Sequence, residues 1–310
     1  MPTIPHYDTA LHSPLVFDLS SFGKVVFRGK DRATFLQNFT TNDVVKPGIG
    51  FGCEAFLTTA QARIVAWLRV AIREDELYVS MEPGLAAKVM THLERYIIGE
   101  EVEMEDRSEL DFLWLHVRPP GIESLALWQQ GPWLQTGLLM QRCDFLGSPA
   151  AFVAGPRSSL PAAQAALGST PLYSIEEPLW NTLRLEAATP LYGVDFDETN
   201  LPQEVNRTEQ AISFNKGCYI GQETVARIRA YGHVNRQLKR VMLDDTANTS
   251  WSGSALQVAG KEVGRLKTVA YSPRESRWMG FAMLRKEHLA AGTLLQAVQG
   301  ETILGSATTI

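Results

Sequence analysis

The sequence predicts a mixed α+β chain that closes with a small β-barrel, and three observations carry that prediction. Between Gly23 and Val117, short strand-like apolar runs alternate with helical stretches. One of these stretches, from Pro83 onward, sets Leu85, Ala86, Val89, Met90, Leu93, Tyr96 and Ile97 at the 3.6-residue period of an amphipathic helix. Beyond residue 240, apolar runs alternate with glycines at 253, 260, 264, 280, 292, 300 and 305, the punctuation of an all-β unit.

Taken in order, a strand from Gly23 to Phe27 leads into a short helix, DRATFLQNFT, with Phe35, Leu36 and Phe39 on one side. Glu54–Val70 reads as strand–turn–strand and ELYVSM as the next strand. Pro83 near the start of the following helix suits the first turn, where no backbone donor is needed. Strands near 101–105 and 111–117 complete a first α+β unit over 1–117. Residues 118–174 are rich in Pro, Gly, Ala and Trp and have weaker periodicity, which indicates a second α+β unit with long loops, reaching to 240. Within it a helix opens near Ile175 with Pro178, Trp180, Leu183 and Ala187 as its buried stripe. The barrel occupies 241–310, with strands at Val241–Leu243, Ala255–Val258, Lys261–Ala270, Trp278–Met283 and Thr293–Val298.

The 310 residues are 45% hydrophobic and 20% charged, an ordinary globular balance. A net charge of −5 argues against a nucleic-acid-coating role, and no direct DNA binding is expected. No run approaches the ~18 apolar residues of a membrane helix. The N-terminal stretch MPTIPHYDTALHSPLVFDLS lacks a basic n-region and an apolar h-region, and its first arginine is Arg28, so a cytoplasmic protein is expected. Three cysteines, Cys53, Cys143 and Cys218, are odd in number and far apart, which is no disulfide framework. No CxxC, HExxH or Cys/His cluster is present, so no metal site is expected, and any cluster handled here takes ligands from elsewhere.

Two phosphate-loop candidates fail. GKVVFRGKD has its first glycine one place too early and Asp31 where Ser or Thr belongs, and GIGFG at 48–52 lacks the third glycine. The informative stretch is NKGCYIGQETVARIRAYGHVNRQLKR, residues 215–240. Cys218 lies between Gly217 and Gly221, just before a helical pattern from Gly221 to Ala230. A helix N-terminus and the Lys216 cation would both favour the reactive thiolate, and the glycines leave room for a ligand at the backbone. The alternative is a small buried hydrophobe, the assignment made for Cys53 and Cys143. The same stretch holds Lys216, Arg227, Arg229, Arg236, Lys239 and Arg240 against the single acid Glu223, which points to an anionic partner: a polyglutamate tail, a phosphate or RNA.

KGCYIGQE, residues 216–223, resembles the signature octapeptide of the YgfZ/IBA57 family. LRLEAATPLYGVDFDETNLPQE (183–204) is similar to the segment those proteins share with the glycine-cleavage T-protein, an aminomethyltransferase, and FLQNFTTNDV (35–44) to that superfamily's N-terminal motif. The matches run in the family's order from about residue 16 to 240. The resemblance implies a three-part clover, two mixed α+β subdomains around a central folate pocket plus a C-terminal β-barrel.

It also implies a function: a tetrahydrofolate-binding protein that supports assembly or repair of iron–sulfur clusters in client enzymes, including those that thiolate tRNA. By position Glu186 is similar to the acid that binds the pterin, where a carboxylate accepts two parallel hydrogen bonds from the ring. Lys216 is expected to lower the pKa of Cys218 and to hold a carboxylate of the folate tail. Tyr192, Gly217, Tyr219, Gln222 and Arg227 complete the cofactor-binding set, and Asp195 and Asn200 are weaker candidates for the same cavity. Cys218 is the reactive group, able to ligate iron transiently, accept a sulfur or form a mixed disulfide with a client or carrier protein. One departure matters: Ala66 and Trp67 stand where the aminomethyltransferases carry an acidic pair, so glycine cleavage is not expected. The rival readings are a folate-dependent one-carbon transferase, thiol chemistry without folate (with His233 the nearest histidine after Cys218), and RNA binding through the 227–240 run.

Overall fold

The computed structural model describes residues 2–134, 138–232 and 234–310. The chain runs α1 (Tyr7–His12), β1 (Leu15–Asp18), β2 (Gly23–Arg28), α2 (Arg32–Gln37), β3 (Gly52–Thr58), β4 (Ile64–Ile72), β5 (Leu77–Met81) and α3 (Ala86–Glu94). It continues through β6 (Glu103–Asp106), β7 (Asp111–Val117), β8 (Gln130–Trp133), β9 (Leu138–Cys143), β10 (Ala150–Pro156), α4 (Leu160–Leu167), β11 (Leu172–Ser174) and α5 (Pro178–Glu186). The last part holds α6 (Thr208–Ala211), α7 (Gln222–Tyr231), β12 (Arg236–Leu243), β13 (Ala255–Val258), β14 (Lys261–Ser272), β15 (Arg277–Arg285), β16 (Leu294–Gln299) and β17 (Thr302–Thr309).

Three sheets result. A five-stranded sheet has the order β3-β4-β5-β2-β6, a six-stranded one β11-β1-β7-β10-β9-β8, and β12-β15-β14-β13-β16-β17 close into a barrel. The architecture is therefore the mixed α+β arrangement with a terminal barrel that the sequence predicts.

Two elements fall elsewhere than expected. Strands β1 and β7 lie in the six-stranded sheet with residues beyond 118, not with the strands of 23–106. The reason is burial on both faces: Leu15 and Phe17 feed one apolar cluster and Val16 another, while Leu113 and Leu115 oppose Phe112 and Trp114 in the same way. A strand with two apolar faces must be central, and β1 sits between β11 and β7. The barrel opens at Arg236 rather than after 240, because Arg236, Lys239 and Arg240 interrupt the apolar alternation on the barrel's outer face.

One cluster joins the two α+β sheets and α5. It contains Tyr7, Phe17, Phe22, Phe56, Trp67, Phe145, Trp180, Tyr192 and Phe196. Trp67 stacks on Phe145 at 5.7 Å, and Phe145 stacks on Trp180 at 5.9 Å. Helix α5 then couples this core to the barrel. Thr182 Oγ1 donates to the Tyr271 carbonyl at 3.0 Å, and Arg184 pairs with Asp195 at 2.6 Å while both are buried. Among the described residues no helix is long and apolar enough to cross a membrane.

Candidate functional site

The segment 210–223 is pinned on both sides to the turn after α2. Thr41 Oγ1 donates to the Ala211 carbonyl at 2.6 Å and Asn42 Nδ2 to that of Gln210 at 2.8 Å. The Ile220 amide donates to the Asn38 carbonyl at 2.8 Å, and Thr58 Oγ1 donates to the Ile220 carbonyl at 2.8 Å. FLQNFTTNDV and KGCYIGQE are thus two halves of one interlocked structure. Between these clamps Asn215, Gly217 and Cys218 are exposed. Cys53 and Cys143 are buried, and burial pushes both thiols up to about 12, so Cys218 is the accessible thiol of the described residues.

Neither electrostatic support expected for Cys218 is realised. Lys216 is buried, and its Nζ donates to the carbonyls of Gln37 (2.7 Å), Thr40 (2.6 Å) and Asn42 (2.8 Å). It caps the C-terminal end of α2, where helical carbonyls lack partners, and lies 4.9 Å from the centroid of the Tyr219 ring. Desolvation lowers Lys216 to about 8, with Asp43 and Cys53 the charges that oppose the shift. The ammonium is committed to the fold and not to the sulfur or to a folate carboxylate. Helix α7 begins at Gln222 after the cap Gly221, so Cys218 stands outside the first turn, where the helix dipole falls off.

The two glycines of the octapeptide differ. Gly221 has φ +89°, and a Cβ there would meet the Thr59 carbonyl oxygen at 2.6 Å, whereas nothing lies within 4 Å of one built at Gly217. Thermal melts are expected to show Gly221→Ala destabilised by about 1–3 kcal/mol through strain and clash, with Gly217→Ala within about 0.5 kcal/mol of the parent.

Glu186, at the end of α5, is buried and fully engaged. Tyr7 Oη, 179 residues away, lies 2.9 and 2.8 Å from its two carboxylate oxygens, Ser272 Oγ donates at 2.5 Å, and Arg274 pairs at 3.4 Å. Tyr7 is pushed up to about 12 by burial and by its bond to this carboxylate. The hydroxyl holds both oxygens, the position the resemblance reserves for two pterin donors. Among the described residues no hydrogen bond or ion pair of Glu186 reaches 215–222, so the acid and the thiol belong to separate groups.

A third set surrounds Trp67, which is fully buried together with Ala66. Arg69 lies 4.3 Å over the Trp67 ring and pairs with Glu82 at 2.6 Å; Arg207, on the ring at 5.1 Å, pairs with Glu54 at 2.8 Å. Trp67 Nε1, Arg69 Nε, Arg69 Nη1 and Glu82 Oε2 are buried without a hydrogen-bond partner among the described residues. Buried polar groups are normally paired, and three donors with one acceptor fit the edge of a polar heterocycle. Sequence reading missed Arg69, although an arginine inside the run IVAWLRVAI was the available signal.

Of the other expected site residues, Tyr192 is buried, meets Phe196 edge-on at 5.5 Å and donates to Glu198 at 3.1 Å. Tyr219 is buried, and desolvation raises it to about 12. Gln222 starts α7, and Arg227 is exposed on it. Asp195 and Asn200 are structural: Asp195 takes Arg184, Leu191 and Thr268, and Asn200 donates to Glu204 at 2.8 Å. His233 lies outside the described residues.

The fold is aminomethyltransferase-like. The crystal structure of glycine cleavage system aminomethyltransferase T from Bartonella henselae superposes with a TM-score of 0.84 at 17% identity, over 100% of this chain and 90% of that one. The model of the GCVT N-terminal domain matches residues 8–118. A chloroplastic transferase-like protein of Arabidopsis thaliana is 28% identical over 308 residues, covering 94% of this chain and 69% of its own. The tRNA-modifying protein YgfZ of Colwellia psychrerythraea is 25% identical over 239 residues, covering 72% of this chain and 70% of its own. Over these stretches the chain is similar to YgfZ and to the N-terminal domain of GCVT proteins.

Proposed function

We propose that the protein binds tetrahydrofolate at the junction of its α+β sheets and, through Cys218, supports assembly or repair of iron–sulfur clusters in cytoplasmic client enzymes, tRNA-modifying ones among them. The observation that carries the folate half is the group of unpartnered buried polar atoms on Trp67, Arg69 and Glu82, in a chain whose fold is that of aminomethyltransferases. Trp67 and Arg69 would hold the pterin as donors and Glu82 as an acceptor, and Glu186 would accept from it once released by Tyr7. Bound tetrahydrofolate would supply a reduced pterin able to carry a one-carbon unit. Aminomethyl transfer is the weaker reading, since Ala66 and Trp67 offer no carboxylate to the cofactor.

Cys218, exposed on a clamped loop, is the contact with clients: a soft ligand for iron, a sulfur acceptor or a disulfide partner. Arg69→Met is expected to weaken tetrahydrofolate binding at least about tenfold, a loss of about 1.4 kcal/mol. Unchanged affinity in a folded Arg69→Met protein would remove Arg69 from the site.

A further inference from the structure

Two adjoining cavities, of about 450 and 530 Å³, open between the 197–204 loop and the end of the barrel formed by β12, β14 and β15. They share Arg236 and Arg285. These two arginines are direct cross-strand partners in the β12–β15 ladder. Like charges placed opposite each other destabilise a sheet, and among the described residues only one of the pair is neutralised: Arg236 bonds Glu204 at 3.1 Å. Around them Arg63 and Lys286 line one cavity, Arg265 and Lys267 the other. Arg265 bonds Glu262 at 3.0 Å. Among the described residues Arg63, Lys267, Arg285 and Lys286 form no ion pair, and the last two are exposed.

We infer that this groove binds the phosphodiester backbone of RNA. A chain with net charge −5 gathers six cations here, four of them arginines, and the guanidinium fork matches phosphate oxygens two at a time. Arg265 and Lys267 project from one face of β14 about 7 Å apart, a spacing on the order of one nucleotide step, so a strand tracks from one cavity into the next. Asp197, Thr199 and Glu287 stand among the cations as acceptors for ribose 2′-hydroxyls. A phosphate between Arg236 and Arg285 relieves their repulsion. Of the 227–240 run the groove contains Asn235 and Arg236; Lys239 and Arg240 follow on β12, and Arg240 Nη1 donates to the Glu186 carbonyl at 2.9 Å. This inference goes beyond the folate reading and does not depend on it.

The test is fluorescence anisotropy of a labelled, unmodified tRNA transcript titrated with the full chain from 50 to 300 mM salt. Binding is expected with a log–log salt slope of about −3, as four phosphate contacts to a flexible strand require. Lys267→Glu/Arg285→Glu should weaken binding at least about tenfold and flatten the slope by about 1.5. Arg285→Ala/Lys286→Ala should do the same to a smaller extent, and Lys30→Glu, in the turn after β2 and paired with Glu101, should leave binding at the parent level. Absence of binding at 50 mM salt, a groove variant with the parent's affinity and slope, or equal competition by poly-L-glutamate or DNA of the same sequence would overturn the assignment.

Discussion

Asp195→Ala is expected to cost about 3–5 kcal/mol, the penalty for stranding a buried charge, and to lower the melting temperature by roughly 5–8 °C. Asp195 is fully buried and its two oxygens take four donors: Arg184 Nη1 at 2.6 Å, the Leu191 amide at 2.9 Å, and the Thr268 amide and hydroxyl at 3.1 and 2.6 Å. These partners come from α5, from the loop after it and from β14, so one carboxylate fastens the α+β core to the barrel. Truncation leaves Arg184, only 1% exposed, without its counter-ion. The double variant Arg184→Met/Asp195→Leu should recover most of the loss, because a buried ion pair contributes little over a well-packed apolar pair. A single variant that melts within 2 °C of the parent, measured by calorimetry, would show that the clamp is not what joins the two parts.

Tyr7→Phe is expected to act in opposite directions on stability and on ligand binding. The hydroxyl holds a buried carboxylate, and deleting a hydrogen bond to a charged group costs about 1.5–3 kcal/mol. The loss should depend on pH. Tyr7 titrates near 12 in the folded chain against 10 for an ordinary tyrosine, so its contribution is complete below pH 10 and disappears as pH rises through 12. The stability gap between parent and Tyr7→Phe should therefore close between pH 10 and 12, measured by denaturant melts across that range. The same change frees Glu186 for a pterin and should tighten tetrahydrofolate binding by about tenfold. Weaker binding in Tyr7→Phe would make the hydroxyl part of the ligand site, not its competitor.

Much of the fold was legible because local pattern and final environment agree. β2, β5 and α3 follow their apolar periods, and Gly253, Gly260, Gly292 and Gly300 stand at turns of the barrel with positive φ, whereas Gly264, Gly280 and Gly305 lie inside its strands. What was missed depends on distance. α1 carries too few apolar residues to announce itself, and β17, with the sequence TILGSATT, is mostly exposed or half-buried. The pairing of β1 with β7 spans about a hundred residues and is visible only as burial on both faces. The sequence marked residues of the candidate site but not their geometry. The octapeptide marked Cys218, which is exposed, but sequence proximity made Lys216 its electrostatic neighbour when the side chain turns away to cap α2. Glu186 was marked as well, yet its partner Tyr7 lies in an unremarkable N-terminal segment. Arg69 went unnoticed because an apolar strand reads as core even when one of its members is charged.

The central claim is tested most directly by calorimetric titration of tetrahydrofolate into the parent, Glu186→Gln and Cys218→Ser proteins under reducing conditions. Binding in the parent, retained within about twofold in Cys218→Ser and weakened at least about a hundredfold in Glu186→Gln, is the expected result. It would establish the pterin anchor and leave the thiol to a separate step with clients. No heat of binding in a folded parent protein, or equal affinity in Glu186→Gln, would contradict the folate assignment.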